Sequence, residues 1–222
     1  MGSIIQAVNW PVEKREALIQ AFGKIKQKVL WKYENETLPN KPENVMISKW
    51  IPQRDVLAHP NVKLFITHGG LLGTTEAIFE GVPVLGIPIY ADQQMNMIKA
   101  ENMGIGIAID YNNIDEALIS KNINKILTNF NYHKNAKSLS KVYKDRPVTP
   151  QKSVVFWVEY VIRHNGATHL RSVAHNLNFI ELHSIDSYAL IVFILFACYC
   201  LLKKSFCFIF GAKRVDDKTK KS

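Results

Sequence analysis

The stretch FITHGGLLGTTEAIFEGVPVLGIPIYADQ, residues 65–93, constrains the fold more than any other part of the chain. Its first residues have the β-branched and aromatic content of a buried strand, and Gly69, Gly70 and Gly73 break that strand into a turn feeding a helix that should end near Gly81. Such a junction binds anions. Unpaired backbone N–H groups and the positive end of the helix dipole point the same way, and glycine lets a phosphate approach the backbone. His68 enters the turn and can donate a hydrogen bond to a phosphate oxygen, while Glu76 lies about one helical turn beyond Gly73, within reach of a sugar next to that phosphate. Residues 83–86 read as a second short strand. The proline-containing loop after it delivers Asp92 and Gln93 to the strand-end rim where α/β sheets bind ligands, and an acid followed by an amide can grip vicinal hydroxyls.

With Trp50 and Gln53 of WIPQRDVLAHP upstream, these residues resemble the signature of the UDP-glycosyltransferases, and more closely the animal membrane-bound branch that includes the UDP-glucuronosyltransferases. The match runs from residue 50 to residue 93 with every spacing intact, and a weaker likeness extends over nearly the whole chain. The resemblance implies an α/β fold: the Rossmann-like C-terminal domain of a GT-B glycosyltransferase, a class with two facing Rossmann-like domains. By the same resemblance Trp50 stacks on uracil, Gln53 and Glu76 hold the ribose, His68 with the Gly69, Gly70 and Gly73 amides holds the diphosphate, and Asp92 and Gln93 hold the sugar. Ser3, in the opening turn formed by Met1, Gly2 and Ser3, is placed with these donor-binding residues. Many relatives have Asn where this chain has Leu72, so a phosphate there relies on the backbone N–H.

Around that centre the pattern is alternating. A helix is expected over 12–26 behind Pro11, strands over 28–32 and 45–49, an amphipathic helix over 95–103, a Gly-bounded strand over 104–108, and helices over 113–128 and 132–144. Met95, Met97 and Met103 read as core filler, and His59 as a turn residue. Thr149 and Pro150 start a helix that ends near Gly166, which in the family crosses back to the N-terminal domain. In a doubly wound sheet the first strand is central, and none precedes the first helix here. The expectation is therefore that the N-terminal domain and the first strand are missing, as in a truncated product or an incomplete gene. The loop sequence Asn35, Glu36, Thr37 fits the N-glycosylation acceptor pattern.

Residues 188–202 are an unbroken apolar run spanning about 22 Å as a helix, which Ile185 on one side and snorkelling Lys203 and Lys204 on the other extend toward a membrane span. The basic tail should face the cytosol and put the nucleotide domain in the lumen. The net charge of +9 does not signal nucleic acid. Seven lysines and arginines after Leu202, against Asp216 and Asp217, supply five of the nine charges, and no aromatic-interleaved basic stripe remains elsewhere. All three cysteines, Cys198, Cys200 and Cys207, lie in or beside the apolar run, so the globular part has none for a disulfide or metal site, and Cys207 is a candidate for acylation. Residues 218–222 also resemble a dilysine-type retrieval signal. The expected organisation is a UDP-sugar-binding domain over 1–148, a return helix and membrane-proximal segment over 149–184, a transmembrane helix over 185–204 and a cytosolic tail over 205–222, in the endoplasmic reticulum membrane.

The resemblance implies metal-independent inverting transfer of a hexosyl or glucuronosyl group from UDP-glucose or UDP-glucuronate, the co-substrate, to a small lipophilic acceptor. Neither a cofactor nor a metal is required, and the catalytic base belongs to the N-terminal domain, so no residue here is assigned that role. Two other readings stay open. One is a non-catalytic membrane-anchored fragment that associates with full-length relatives and alters their activity, as a homo- or hetero-oligomer. The other is a nicotinamide-dependent oxidoreductase, because HGGLLG spaces its last two glycines like G-x-G-x-x-G and Asp92 lies about twenty residues on. Against it, His68 stands where the first glycine would be and Asp92 precedes a helix rather than ending a strand.

Overall fold

The computed structural model describes residues 5–219, and the side chains of residues 5–204. The chain divides into two compact units, Met1–Pro147 and Val148–Ser222. In the first, helices and parallel strands alternate: α1 Val12–Gly23, β1 Val29–Lys32, β2 Val45–Ser48, α2 Gln53–Ala58, β3 Phe65–Thr67, α3 Leu71–Glu80, β4 Val84–Gly86, α4 Gln93–Asn102, β5 Gly106–Ala108, α5 Glu116–Thr128 and α6 Phe130–Lys144. β1 pairs with β2, and β3, β4 and β5 pair in that order, every ladder parallel. Phe65 stands opposite Val84, and Val84 opposite Gly106.

Alternation along β4 explains the layering. Successive side chains of a strand point to opposite faces. Leu85 packs into a cluster with Leu18 and Phe22 of α1 and Ile119, Ile123 and Ile126 of α5. Val84, one residue earlier, packs with Ala77 of α3, Met97 and Ala100 of α4 and Ala136 of α6. Helices therefore cover both faces, as parallel sheets require, and the unit has the doubly wound α/β architecture expected from its sequence. α5 shows how local chemistry fixes such a helix: Asp115 caps it by accepting the Leu118 N–H at 2.6 Å, and Ile119, Ile123 and Ile126 repeat on its buried face.

Hydrogen bonding leaves the sheet in two parts. β1 and β3 are not paired with each other, and both line one cavity of about 660 Å³ floored by Leu18 and Phe22. Smaller differences from expectation concern boundaries. The segment before α5 opens with a separate 3-10 turn, Tyr111–Asn113, which Asp110 caps by accepting the Asn112 N–H and which ends at the extended Ile114 before Asp115 caps the helix. α2, six residues between Pro52 and the His59–Pro60 stop, is too short to show a 3.6-residue period in the sequence.

The second unit holds α7 Pro150–Arg163, α8 Phe179–Leu182 and α9 Ile185–Thr219. Thr149 caps α7 from the Lys152 N–H with Pro150 in the first turn, the arrangement that its sequence predicts, and Gly166 beyond its end has φ +93°. α8 is held by a reciprocal cap, the Asn178 side chain accepting the Glu181 N–H while Glu181 accepts that of Asn178. α9 is longer than the apolar run alone implies. Its stretch Ile185–Lys204 has 20 residues, about 30 Å as a helix, which matches the hydrocarbon core of a bilayer. One helix among the described residues is thus long and apolar enough to cross a membrane. Ser3, Cys207, the tail lysines and the 218–222 signal lie outside the described side chains.

His133 on α6 gives the first unit a pH dependence. Its Nε2 is buried without a hydrogen-bond partner. Burial lowers its pKa, opposed by a hydrogen bond with the Lys63 backbone and reinforced by the Lys63 and Lys137 charges. A folded pKa below the unfolded value of about 6.5 means the unfolded chain binds the extra proton. The stability carried by neutral His133 is therefore complete above about pH 6.5 and declines as pH falls through that value toward the lowered folded pKa. The urea midpoint should drop on acidification through this window, and His133→Gln should flatten the slope; an identical slope in the variant would remove His133 as its source.

Candidate functional site

The site grows from the β3–α3 junction. Thr67 ends β3, and its hydroxyl accepts the Gly69 N–H at 3.3 Å. Gly69 has φ +81°, a conformation open to glycine and strained for other residues. Gly70 has a different reason: a Cβ there would stand 2.4 Å from His68 Nε2. The glycine admits the His68 ring over the turn, so the ring and the start of α3 occupy one place. Gly70 is also the N-cap of α3 and supplies no side-chain acceptor to the first turn. The first intrahelical bond is Thr74 N–H to Gly70 O, at 3.0 Å. The N–H groups of Leu71, Leu72 and Gly73 are therefore turned to the helix end, the feature that makes such ends bind anions. Gly73 lies within the first turn of α3 rather than in the loop, and a Cβ there would meet only ordinary contacts. Leu71 and Leu72 are exposed beside it.

Two segments meet across this helix. Gln53, the first residue of α2, donates from Nε2 to Glu76 Oε2 at 2.6 Å, a charge-assisted bond that fixes both side chains half-buried beside α3. Trp50, three residues earlier, is 71% exposed, an unusual state for an indole and one that leaves a ring face free to stack. Its carbonyl accepts from the Ser48 hydroxyl at 2.8 Å, which ties the loop to the end of β2.

The third part comes from the β4–α4 loop. Gln93 is buried, and its Oε1 accepts the N–H groups of Ile89 and Tyr90 at 2.8 and 3.2 Å. Its carbonyl end thus braces the loop. Asp92 is exposed at the N-cap of α4 and follows Ala91, whose φ of +57° is strained for a residue with a Cβ. Asn96 connects this loop to the glycine turn: its Nδ2 donates to Asp92 Oδ2 at 2.7 Å and to Gly69 O at 3.0 Å. Sequence reasoning passed over both Ala91 and Asn96. Nothing in the local pattern marks Ala91, whereas Asn96, a polar residue four positions after Asp92 on one helix face, was a detectable pairing. Asn96→Ala should cost about 1–3 kcal/mol, because the Gly69 carbonyl loses its buried donor. Chemical denaturation checks this, and an unchanged midpoint would show that the link carries no load.

The structure thus brings His68, Gly69, Gly70 and Gly73 together with Asp92 and Gln93 through Asn96, and joins Gln53 to Glu76 on α3, with Trp50 exposed upstream. Such an arrangement offers an anion seat, an acid–amide pair beside it and an aromatic face.

Known proteins resemble this chain. A family model described as "UDP-glucoronosyl and UDP-glucosyl transferase" matches residues 1–222. The chain is 51% identical over 195 residues to UDP-glycosyltransferase UGT5 of Dactylopius coccus, covering 88% of this chain and 37% of that protein. It is 37% identical to UDP-glucuronosyltransferase 2A3 of Homo sapiens over 221 residues, covering 100% of this chain and 41% of the human protein. The chain therefore spans about two fifths of the length of the curated relatives it matches. Among solved structures, glycosyltransferase VinC in complex with dTDP superposes with a TM-score of 0.61 at 19% identity, over 68% of this chain and 40% of VinC. A glycosyltransferase of kitacinnamycin gives a TM-score of 0.58 at 22% identity, over 65% of this chain and 37% of its own. These likenesses show the fold.

Proposed function

The chain belongs to the UDP-glucuronosyl and UDP-glucosyl transferase family, and on that premise we propose that its first unit is the donor-binding part of an enzyme that moves a hexosyl or glucuronosyl group from UDP to a small lipophilic acceptor. The observation that carries this reading is the 2.6 Å bond between Gln53 and Glu76, which joins the segment after Trp50 to the helix whose N-terminus has no side-chain cap and is open to an anion. Uracil stacks on Trp50, the ribose hydroxyls meet Gln53 and Glu76, and the diphosphate lies against His68 and the first-turn amides of α3. The sugar reaches Asp92 and the Nε2 end of Gln93.

These groups also define the chemical contribution. Fixed donors at the diphosphate stabilise the charge that develops on departing UDP, and they need no reorganisation during the reaction. Leaving-group stabilisation of this kind serves inversion at the sugar carbon without a metal. The base that deprotonates the acceptor is not assigned to any residue of this chain. A nicotinamide dinucleotide fits less well, since Asp92 opens a helix and is engaged by Asn96 instead of ending a strand beside a ribose.

The experiment is to join the N-terminal portion of a close relative, with its final strand, ahead of Met1 and assay small phenols with UDP-glucose and UDP-glucuronate. UDP-sugar-dependent glycosylation should appear in the joined chain and be absent from the chain by itself. Robust transfer by the unextended chain would contradict this two-part reading. The same joined protein tests topology. α9 anchors it in the endoplasmic reticulum membrane, with the nucleotide unit in the lumen and the basic tail in the cytosol. Protease added to sealed microsomes should trim only the tail, and digestion within residues 69–93 in intact vesicles would reverse the orientation.

A further inference from the structure

We propose that Asn35, on the loop that joins β1 to β2, is an acceptor for an N-linked oligosaccharide; the proposal rests on the lumenal placement of the first unit put forward above. Asn35, Glu36 and Thr37 form the one Asn-x-Ser/Thr triplet in the 222 residues. All three are exposed, in a stretch outside any helix or strand. Both flanks are fixed. Ahead of the triplet Tyr33 is buried, its N–H bonded to Ser48 O at 2.9 Å, and the Glu34 carboxylate accepts from Lys32 Nζ at 2.9 Å and from the Val8 N–H at 3.3 Å. Behind it Leu38 packs into the same core cluster as Tyr33. The chain between is thus held outward as a short arch, in the surface setting that this bulky modification requires.

The side chains separate this arch from an ordinary asparagine-rich turn. Asparagines in loops commonly bond nearby backbone or polar groups, and two in this connection are engaged. Asn44 Nδ2 donates to the Phe22, Ile25 and Gln27 carbonyls at 2.8, 3.2 and 3.0 Å, and Asn40 Nδ2 donates to Glu16 Oε1 at 3.3 Å. The Asn35 amide and the Thr37 hydroxyl make no hydrogen bond among the described residues. Glu36 between them turns to the end of β2, where its carboxylate meets Lys49 Nζ at 2.8 Å. The two groups by which an acceptor triplet is read are therefore the two left unengaged. In the transfer, Asn35 Nδ2 forms a bond to the anomeric carbon of an oligosaccharide carried on a lipid diphosphate. The bond from that carbon to the diphosphate oxygen breaks, the lipid diphosphate leaves with the bonding electrons, and Nδ2 gives up one proton to solvent.

The test uses the joined protein described above, made in cells and isolated in sealed microsomes. Endoglycosidase digestion should raise the gel mobility of the parent by one glycan more than that of Asn35→Gln or Thr37→Ala, and Thr37→Ser, which keeps the triplet, should retain the full shift. Release by a glycan amidase turns the acceptor amide into a carboxylate, so the tryptic peptide of residues 33–49 should carry aspartate at 35 and keep asparagine at 40 and 44. That peptide is read on the parent, so the test stands even where a variant does not fold. An unmodified Asn35 in microsomes that protect residues 69–93 from protease would overturn the proposal and leave the lumenal placement standing. An unmodified Asn35 with residues 69–93 digested would overturn both, and an undiminished shift in Asn35→Gln would put the glycan elsewhere and overturn the proposal alone.

Discussion

Turnover of the joined, two-part enzyme is expected to fall by on the order of 10²-fold when His68 is replaced by alanine, the scale of losing one preorganised donor to developing charge. The expectation rests on placement. Gly70 exists without a Cβ at the point where His68 Nε2 lies 2.4 Å from where one would be, so the ring lies over the N-terminus of α3, the proposed anion seat. Because the diphosphate gains charge as the sugar departs, the loss should appear mainly in kcat. A matching rise in KM with unchanged kcat would mean that His68 holds ground-state and transition-state diphosphate equally. Full activity in the variant would remove His68 from the site. Gly70→Ala offers an independent approach to the same contact, since the added methyl must push the ring aside.

The second large effect concerns the base. Trp50→Ala should weaken UDP binding by about 1–3 kcal/mol, the range for a base stacked on an aromatic side chain, or roughly 5- to 150-fold in Kd. The substitution is clean, because the indole is 71% exposed and contributes little to the core. Thermal stability should stay within about 0.5 kcal/mol of the parent, as for most surface changes. Unchanged affinity would detach Trp50 from the uracil, and a large stability loss would show that the ring packs against something else.

Local chemistry made the strand–turn–helix unit readable. Glycine at φ +81°, a glycine cleared for a ring, and β-branched residues on β3 and β4 are properties of individual residues that survive in a sequence. The Thr149 cap was legible for the same reason. Features that depend on tertiary contact were not. Asn96 matters only because folding carries it to within 3.0 Å of the Gly69 carbonyl, 27 positions away. Gln93 looks like a ligand group in sequence, and the fold spends its carbonyl oxygen on the Ile89 and Tyr90 amides. The strain at Ala91 has no sequence marker, since αL residues are normally glycine or asparagine. The cavity that both open edges share became apparent only when β1 and β3 were placed.

A calorimetric titration of the purified chain with UDP, UDP-glucose and UDP-glucuronate beside NAD tests the central claim most directly. The geometry at Gln53, Glu76, His68 and the N-terminus of α3 predicts saturable binding of the uridine nucleotides that Trp50→Ala weakens by roughly 5- to 150-fold and His68→Ala weakens to a smaller extent. Preferential binding of NAD, or uridine nucleotide binding indifferent to both substitutions, would contradict the assignment of this unit as a UDP-sugar site.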